Sequence, residues 1–436
     1  MKALFTTLIA LVFALPAWAE IEIKEVTSPG GITAWLVEDH SIPFTAVEFR
    51  FRGGTSLDDP DKRGAVYLMS GLIEEGAGDM DARSYARELE SLAASFGYNA
   101  SDDTVSISAQ FLTENRDEVV ELLQTTLHAP RFDQDAVDRV RAQILSGLRS
   151  DQTDPNDIAG RSFAKMAYGE HPYGSEGKGN LDSVAGLTRE DVVAAYDNVF
   201  AKDRLFVGAV GDITAEELGG LLDQLLADLP DTGKPIPDKA EVSISGGVSV
   251  IDFDTPQSVA LFGQKGIDRD DPDFFAAYIL NHILGGGGFE SRLMQEVREK
   301  RGLTYGVGTY LVPKDLASVY LGSVSSANDR IAEAVEVIRA EWARAAEDGV
   351  SQKELDDAKT YLTGAYPLRF DGNAQIAGIM VGMQMEGLPI DYIATRNDKV
   401  NAVTLDEVNR VASELLDPEG LHFTVVGKPV GLETTN

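Results

Sequence analysis

Four markers recur in one order at a nearly constant spacing, and this duplication restricts the possible folds more than any other feature of the chain. Gly30-Gly31 precedes a strand-like run from Ile32 to Val37, and Gly246-Gly247 precedes another from Val248 to Ile251. Asp58-Asp59-Pro60 and Asp270-Asp271-Pro272 each lead into a helix-like stretch. Thr188 and Thr404 each open a T-x-x-D/E signal, and strands ending at Gly211 and Gly427 close the two series. The offsets are 216, 212, 216 and 216 residues. Two homologous halves of about 210 residues follow, each long enough for a core of its own.

The join is readable. Leu229 to Pro237 holds three prolines and one glycine in nine residues. Proline fixes φ and lacks an N–H, so this stretch resists both helix and central strand. The expected domains are residues 20–229 and 244–436, with a semi-rigid linker at 230–243. Thr45 to Arg52 alternates Val47, Phe49 and Phe51 with Glu48, Arg50 and Arg52, the pattern of a half-exposed strand. Asp329 to Asp348 places Ile331, Val335, Ile338 and Trp342 on one helical face and stops at Gly349. Ser351-x-x-Glu354 and Thr214-x-x-Glu217 are capping boxes. Strands and helices come in clusters, which predicts an α+β fold: two homologous domains, each a mostly antiparallel sheet packed with helices.

Residues 1–19 read as an export signal. Lys2 is followed by apolar sequence from Leu4 to Leu15 and by Ala17-Trp18-Ala19, a small-x-small cleavage site. About twelve apolar residues are too few to span a bilayer, so the expectation is a secreted, periplasmic protein with no membrane association after signal removal. The chain has no cysteine, so neither disulfides nor thiolate metal sites are available. Its formal charge of −33 repels nucleic-acid phosphates. The acids are spread along the chain, which reads as solubility, although an acidic chamber would also favour basic peptides.

The densest local signal is Gly285, Gly286, Gly287 and Gly288, followed by Phe289-Glu-Ser-Arg-Leu-Met-Gln-Glu-Val-Arg298 and then Gly302-Leu-Thr-Tyr305. The four glycines let the backbone bend sharply and come close to another group. A short helix is expected next, with Leu293 and Val297 inward, Arg298 near its C-terminus and Gly302 ending it. Tyr305 would open a strand, so that Arg298 and Tyr305 reach one cleft. The plain alternative is an arginine complementing the helix dipole and a tyrosine in the core.

This run resembles the second-domain signature of the insulinase, or pitrilysin-like, metallopeptidases. Glu170-His-Pro-Tyr-Gly174, Val210-Gly-Asp212 and the duplication itself extend the resemblance over residues 20–430. It implies that Arg298 and Tyr305 are the pair that leans over a zinc site from the opposite domain and donates hydrogen bonds to the substrate and its developing oxyanion. It also implies a substrate-binding role for Gly285 to Gly288.

The family's first domain carries H-x-x-E-H on a helix and a glutamate some seventy-five residues later. The matching positions here are Val66, Met69 and Ser70, and no glutamate stands between Glu121 and Glu170. These residues cannot hold zinc. The five histidines, His40, His128, His171, His282 and His422, are scattered. His171 reads as a turn residue. His282, at the second-half counterpart of Ser70, reads as structural. No G-x-S-x-G elbow and no P-loop lysine is present.

The resemblance therefore implies a non-zinc subunit of a heterodimeric metalloendopeptidase. The chain itself would bind no cofactor. A homologous partner would bring zinc, and a peptide would be the substrate. The alternative is a non-catalytic peptide-binding or scaffold subunit. A homodimeric enzyme with an unrecognised metal site is a third, weaker reading.

Overall fold

The computed structural model describes residues 21–435, so the signal-like stretch lies outside the described residues. Two sheets carry the fold. The first runs Lys24–Thr27, Thr33–Glu38, Leu205–Gly211, Phe44–Arg52, Thr104–Leu112, Ser95–Ala100. The second runs Gly247–Asp252, His422–Gly427, Gln257–Lys265, Ser318–Ala327, Val307–Pro313. Strand by strand, the second repeats the order of the first from Thr33–Glu38 onward. Each contains one parallel pair, Thr33–Glu38 with Leu205–Gly211 and Gly247–Asp252 with His422–Gly427, in an otherwise antiparallel ladder. Lys24–Thr27 covers the outer edge of the first sheet. Thr434 and Thr435 do so for the second, accepting the N–H groups of Val250 and Val248 at 3.0 and 2.8 Å.

Helices behind each sheet build a separate core. Helix Ile331–Asp348 buries the predicted face, with Ile331, Ile338 and Trp342 fully enclosed, and Trp342 Nε1 donates to Gln264 Oε1 at 2.7 Å. The capping boxes at Thr214 and Ser351 form as read. Among the described residues no helix is long and apolar enough to cross a membrane.

The halves trade one helix each. Pro155–Tyr168 lies on the second sheet, and Asn373–Met385, about 218 residues later, lies on the first. Each rests over a glycine. A Cβ on Gly208 would come within 2.8 Å of Ala377 O, and one on Gly263 within 2.9 Å of Phe163 Cζ. This exchange modifies the reading of Thr45 to Arg52 as a strand with one solvated face. Val47, Phe49 and Phe51 face the core as expected, but the Glu48, Arg50 and Arg52 side chains are largely covered, because the traded helix packs over this face. Arg52 donates to Met385 O at the end of that helix and pairs with Asp315 at 2.9 Å.

The tips of equivalent hairpins also meet. Lys314 pairs with Asp102, 212 residues earlier. Tyr173 donates its phenol proton to Asp103 and accepts Leu316 N–H at 3.1 Å. The ring of His171 accepts Tyr173 N–H at 3.2 Å and donates to Asp238 O at 3.0 Å, as expected of a turn histidine. The H-P-Y-G turn is thus a joint between the halves. Tyr173→Phe leaves the Asp103 carboxylate and the Leu316 N–H without this partner. We expect a loss of about 1–3 kcal/mol, read as a lower denaturation midpoint at unchanged far-UV circular dichroism. The segment 230–243 is tied down at Lys234, which reaches Leu57 O at 2.7 Å, and at Ala240, whose N–H reaches Leu316 O at 2.8 Å.

Candidate functional site

The glycine run folds as part of a π-helical segment, His282–Gly286, and a second π-helical segment, Met294–Glu299, follows it. Such wide turns break the regular ladder and recur at functional sites. Nothing in the local sequence announced them. Gly285 presses against the strand Val307–Pro313: a Cβ there would stand 2.8 Å from the Thr309 backbone nitrogen. The same Thr309 donates its hydroxyl to buried Asn281 Oδ1 at 2.8 Å. The close neighbour of Gly285 is therefore this strand.

The Ser291-Arg292-Leu293 triplet anchors the segment. Ser291 Oγ donates to Gly288 O at 2.8 Å, and Leu293 is fully buried. Arg292 grips Glu354 with two nitrogens at 2.6 and 2.9 Å, and Gly349 O at 3.0 Å. Burial alone would raise the Glu354 pKa, but hydrogen bonds from Arg292 and Ser351 outweigh it and hold the carboxyl down to about 2. A depressed carboxylate stabilises the fold above its unfolded value, and that stability is lost as pH falls toward 2. Arg292→Ala is expected to cost about 2–3 kcal/mol at neutral pH and less near pH 3. Urea titrations at both values check this, and an equal loss at both would rule out the charge pair as the cause.

Arg298 and Tyr305 meet in one groove of about 470 Å³, with Gln257, Ser325 and Arg330 among its walls. Leu293 and Val297 face inward as expected. Tyr305 does not open a strand, because the ladder begins at Val307. Thr304 takes the chain into a turn first: its hydroxyl donates to Ser325 O at 2.6 Å and accepts Gly306 N–H at 3.1 Å. The turn holds Tyr305 89% exposed, so the core reading does not apply. The Arg298 guanidinium lies 4.8 Å over the Phe289 ring and pairs with Glu299. Both partners are partly exposed, so the pair is weak and easily exchanged for another acceptor. Gly285 to Gly288 do not line this groove.

The helix Ala65–Ser70 enters from a loop capped by Asp58, which accepts the N–H groups of Gly64 and Val66 at 2.8 and 2.9 Å. Val66 and Met69 point into the core at 1% and 0% exposure. Only Ser70 of the three expected zinc-motif positions reaches the adjoining cleft of about 510 Å³, and its Oγ donates to Tyr67 O at 2.9 Å. Glu74, Tyr98, Gln143 and Lys178 line the same cleft. Two apolar side chains and a serine do not fit zinc. Among the described residues no group of three histidine, cysteine or carboxylate side chains is placed to hold a metal ion. The His282 ring stacks on Tyr361 at 5.0 Å, and burial lowers its pKa. Among the described residues none lines both the zinc-motif cleft and the Arg298–Tyr305 groove.

Comparison with known proteins gives a consistent picture. Residues 34–177 match the family model described as insulinase (peptidase family M16), and residues 186–362 match the peptidase M16 inactive domain. The non-peptidase homolog YmxG of Helicobacter pylori is 28% identical over 432 residues, 98% of either chain. An uncharacterized zinc protease of Streptomyces coelicolor is 24% identical, over 90% of this chain and 87% of that one. Among solved structures, a peptidase M16 inactive domain from Pseudomonas fluorescens superposes with a TM-score of 0.87 at 28% identity, over 94% of this chain and 99% of that one.

Proposed function

Because the chain belongs to the insulinase family of peptidases, M16, we propose that it is the zinc-free subunit of an exported, two-chain metalloendopeptidase. One observation carries the reading. An exposed phenol and a guanidinium face a single open groove whose one carboxylate, Glu299, is paired with Arg298, and among the described residues no group of three side chains is placed to hold a metal ion. Hydrogen-bond donors arranged this way suit the growing negative charge of a peptide-hydrolysis transition state. A homologous partner chain would supply the zinc, its ligands and the water-activating carboxylate. The apolar run before Glu20 supports export, and with it a periplasmic location.

The test is a peptidase assay of the mature chain alone and together with the partner that copurifies with it, each with and without chelator. Activity only in the mixture, abolished by chelator, is expected. Chelator-sensitive turnover by this chain alone would sink the division of labour.

A second reading is a peptide-binding or scaffold subunit. Ser95–Ala100 is an edge strand of the first sheet, and its Tyr98, Asn99 and Ala100 border the cleft beside Ser70. An edge of this kind can accept an extended peptide as an added strand. A mixture that binds peptide but never cleaves it would favour this reading.

A further inference from the structure

We propose that the cavity beneath Arg369 is a binding site for a small organic carboxylate carried on an aromatic or apolar body. The cavity, about 260 Å³, lies where the traded helix Asn373–Met385 meets helices Phe274–Asn281 and Tyr392–Ala402. Arg269, Arg369 and Arg396 line it, and Glu386 is its only acidic side chain. Three guanidiniums against one carboxylate make a cationic hollow in a chain whose net charge is −33.

Arg396 forms the floor and is only 4% exposed. Its Nη1 donates to Leu362 O at 2.8 Å and Asn397 Oδ1 at 3.0 Å. Among the described residues it has no carboxylate partner, its Nε and Nη2 have no hydrogen-bond acceptor, and the residue lines the cavity. Water can meet these N–H groups in the open cavity, and a carboxylate that displaces it would gain charge-assisted hydrogen bonds there.

The ring stacking fixes what that acceptor is. The Arg396 guanidinium lies 4.5 Å from the Tyr366 ring and 5.6 Å from the Tyr278 ring. Arg269 lies 4.3 Å over Phe274, donates to Tyr392 Oη at 2.8 Å and pairs with Glu386 at 2.9 Å. The in-plane edge of Arg269 is thus taken by Tyr392 and Glu386, whereas Arg396, with an aromatic ring against its face, still has its Nε and Nη2 edge to offer. That geometry matches a planar carboxylate taken by two parallel hydrogen bonds. The aromatic walls suit an apolar body and give a hydrated inorganic anion nothing to contact. The volume is below that of drug-sized pockets and admits about one ring. Arg369, exposed and without an ion-pair partner among the described residues, stands at the mouth. The arginines are about 27 to 127 residues apart in sequence, so no local motif marks the site.

The same carboxylate chemistry has two sources: a free aromatic acid, or the carboxyl-terminal residue of a peptide. Calorimetric titration of the full chain with 3-phenylpropionate, 3-phenylpropionamide, N-acetylphenylalanine, its amide and inorganic phosphate separates them. Saturable one-to-one binding of an acid is expected, with its amide at least about tenfold weaker and phosphate not competing. Tighter binding of N-acetylphenylalanine than of 3-phenylpropionate identifies a peptide terminus, and the reverse order identifies a free acid. Arg396→Gln is expected to abolish binding. Because that side chain is buried, the exposed Arg369→Gln is measured beside it and is expected to weaken binding about threefold or more with an unchanged melting temperature. Equal affinity for acid and amide, no saturation by about 10 mM, or full binding by Arg369→Gln would overturn the assignment.

Discussion

Tyr305→Phe is expected to lower kcat of the two-chain peptidase by about 10²–10³-fold, with KM changed little. The substitution removes one oxygen. That oxygen sits on a side chain 89% exposed at the tip of a turn held by Thr304, so nothing in the fold depends on it. Removing one preorganised donor from a developing oxyanion costs about 3–4 kcal/mol, which sets the size of the effect. A donor used only in the transition state lowers kcat, whereas one used equally for the bound peptide raises KM. Arg298→Ala should lose a similar factor and also its contact with Phe289. Steady-state kinetics of the mixture, with a thermal melt of each variant, checks both. Full activity in both variants with intact folding would dismiss the donor role and leave the peptide-binding reading.

Asp58→Ala is expected to destabilise the first half by about 3–5 kcal/mol, the largest single effect on stability among the substitutions considered. The Asp58 side chain is 1% exposed, caps the helix Ala65–Ser70 through two N–H groups, and faces the Arg63 guanidinium at 3.7 Å. Truncation strands two helix donors and a buried cation together. Its titration adds a pH signature. Burial, outweighing the two N–H bonds and Arg63, pushes the Asp58 carboxyl up to about 6. A carboxyl raised in the folded state binds protons more tightly there than in the unfolded chain. Its contribution is therefore complete below about pH 4 and declines as pH rises through 6. Asp58→Asn removes that titration. The stability of the wild type relative to Asp58→Asn should fall by about 3 kcal/mol between pH 4 and pH 7. A flat difference across that range would show that Asp58 titrates elsewhere.

The features legible in the sequence share one property: the residues that define them lie close together along the chain. Capping boxes at Thr214 and Ser351 need three residues, the amphipathic face from Ile331 to Trp342 needs three turns, and the loss of the zinc motif at Val66, Met69 and Ser70 needs one. The duplication was legible because it repeats short signals at a fixed offset. It predicted two similar α+β halves, and the strand orders agree. That Arg298 and Tyr305 share one groove was legible for the same reason, the two being seven residues apart across one turn.

What stayed hidden depends on contacts between distant segments. Glu48, Arg50 and Arg52 alternate as a solvated face would, and only the helix Asn373–Met385, arriving from the other half, covers them. Periodicity reports how a strand divides its two faces, not what packs on the polar one. The strand start at Val307 was misplaced by two residues because the hydroxyl of Thr304 bonds to Ser325, on a neighbouring strand. The gathering of Arg269, Arg369 and Arg396 around one cavity arises from three separate elements brought together by helix packing. Local free energies choose helices, caps and turns, and these can be read along the chain. Which faces meet is chosen by the burial of whole surfaces, and that choice exists only once the two halves have closed on each other.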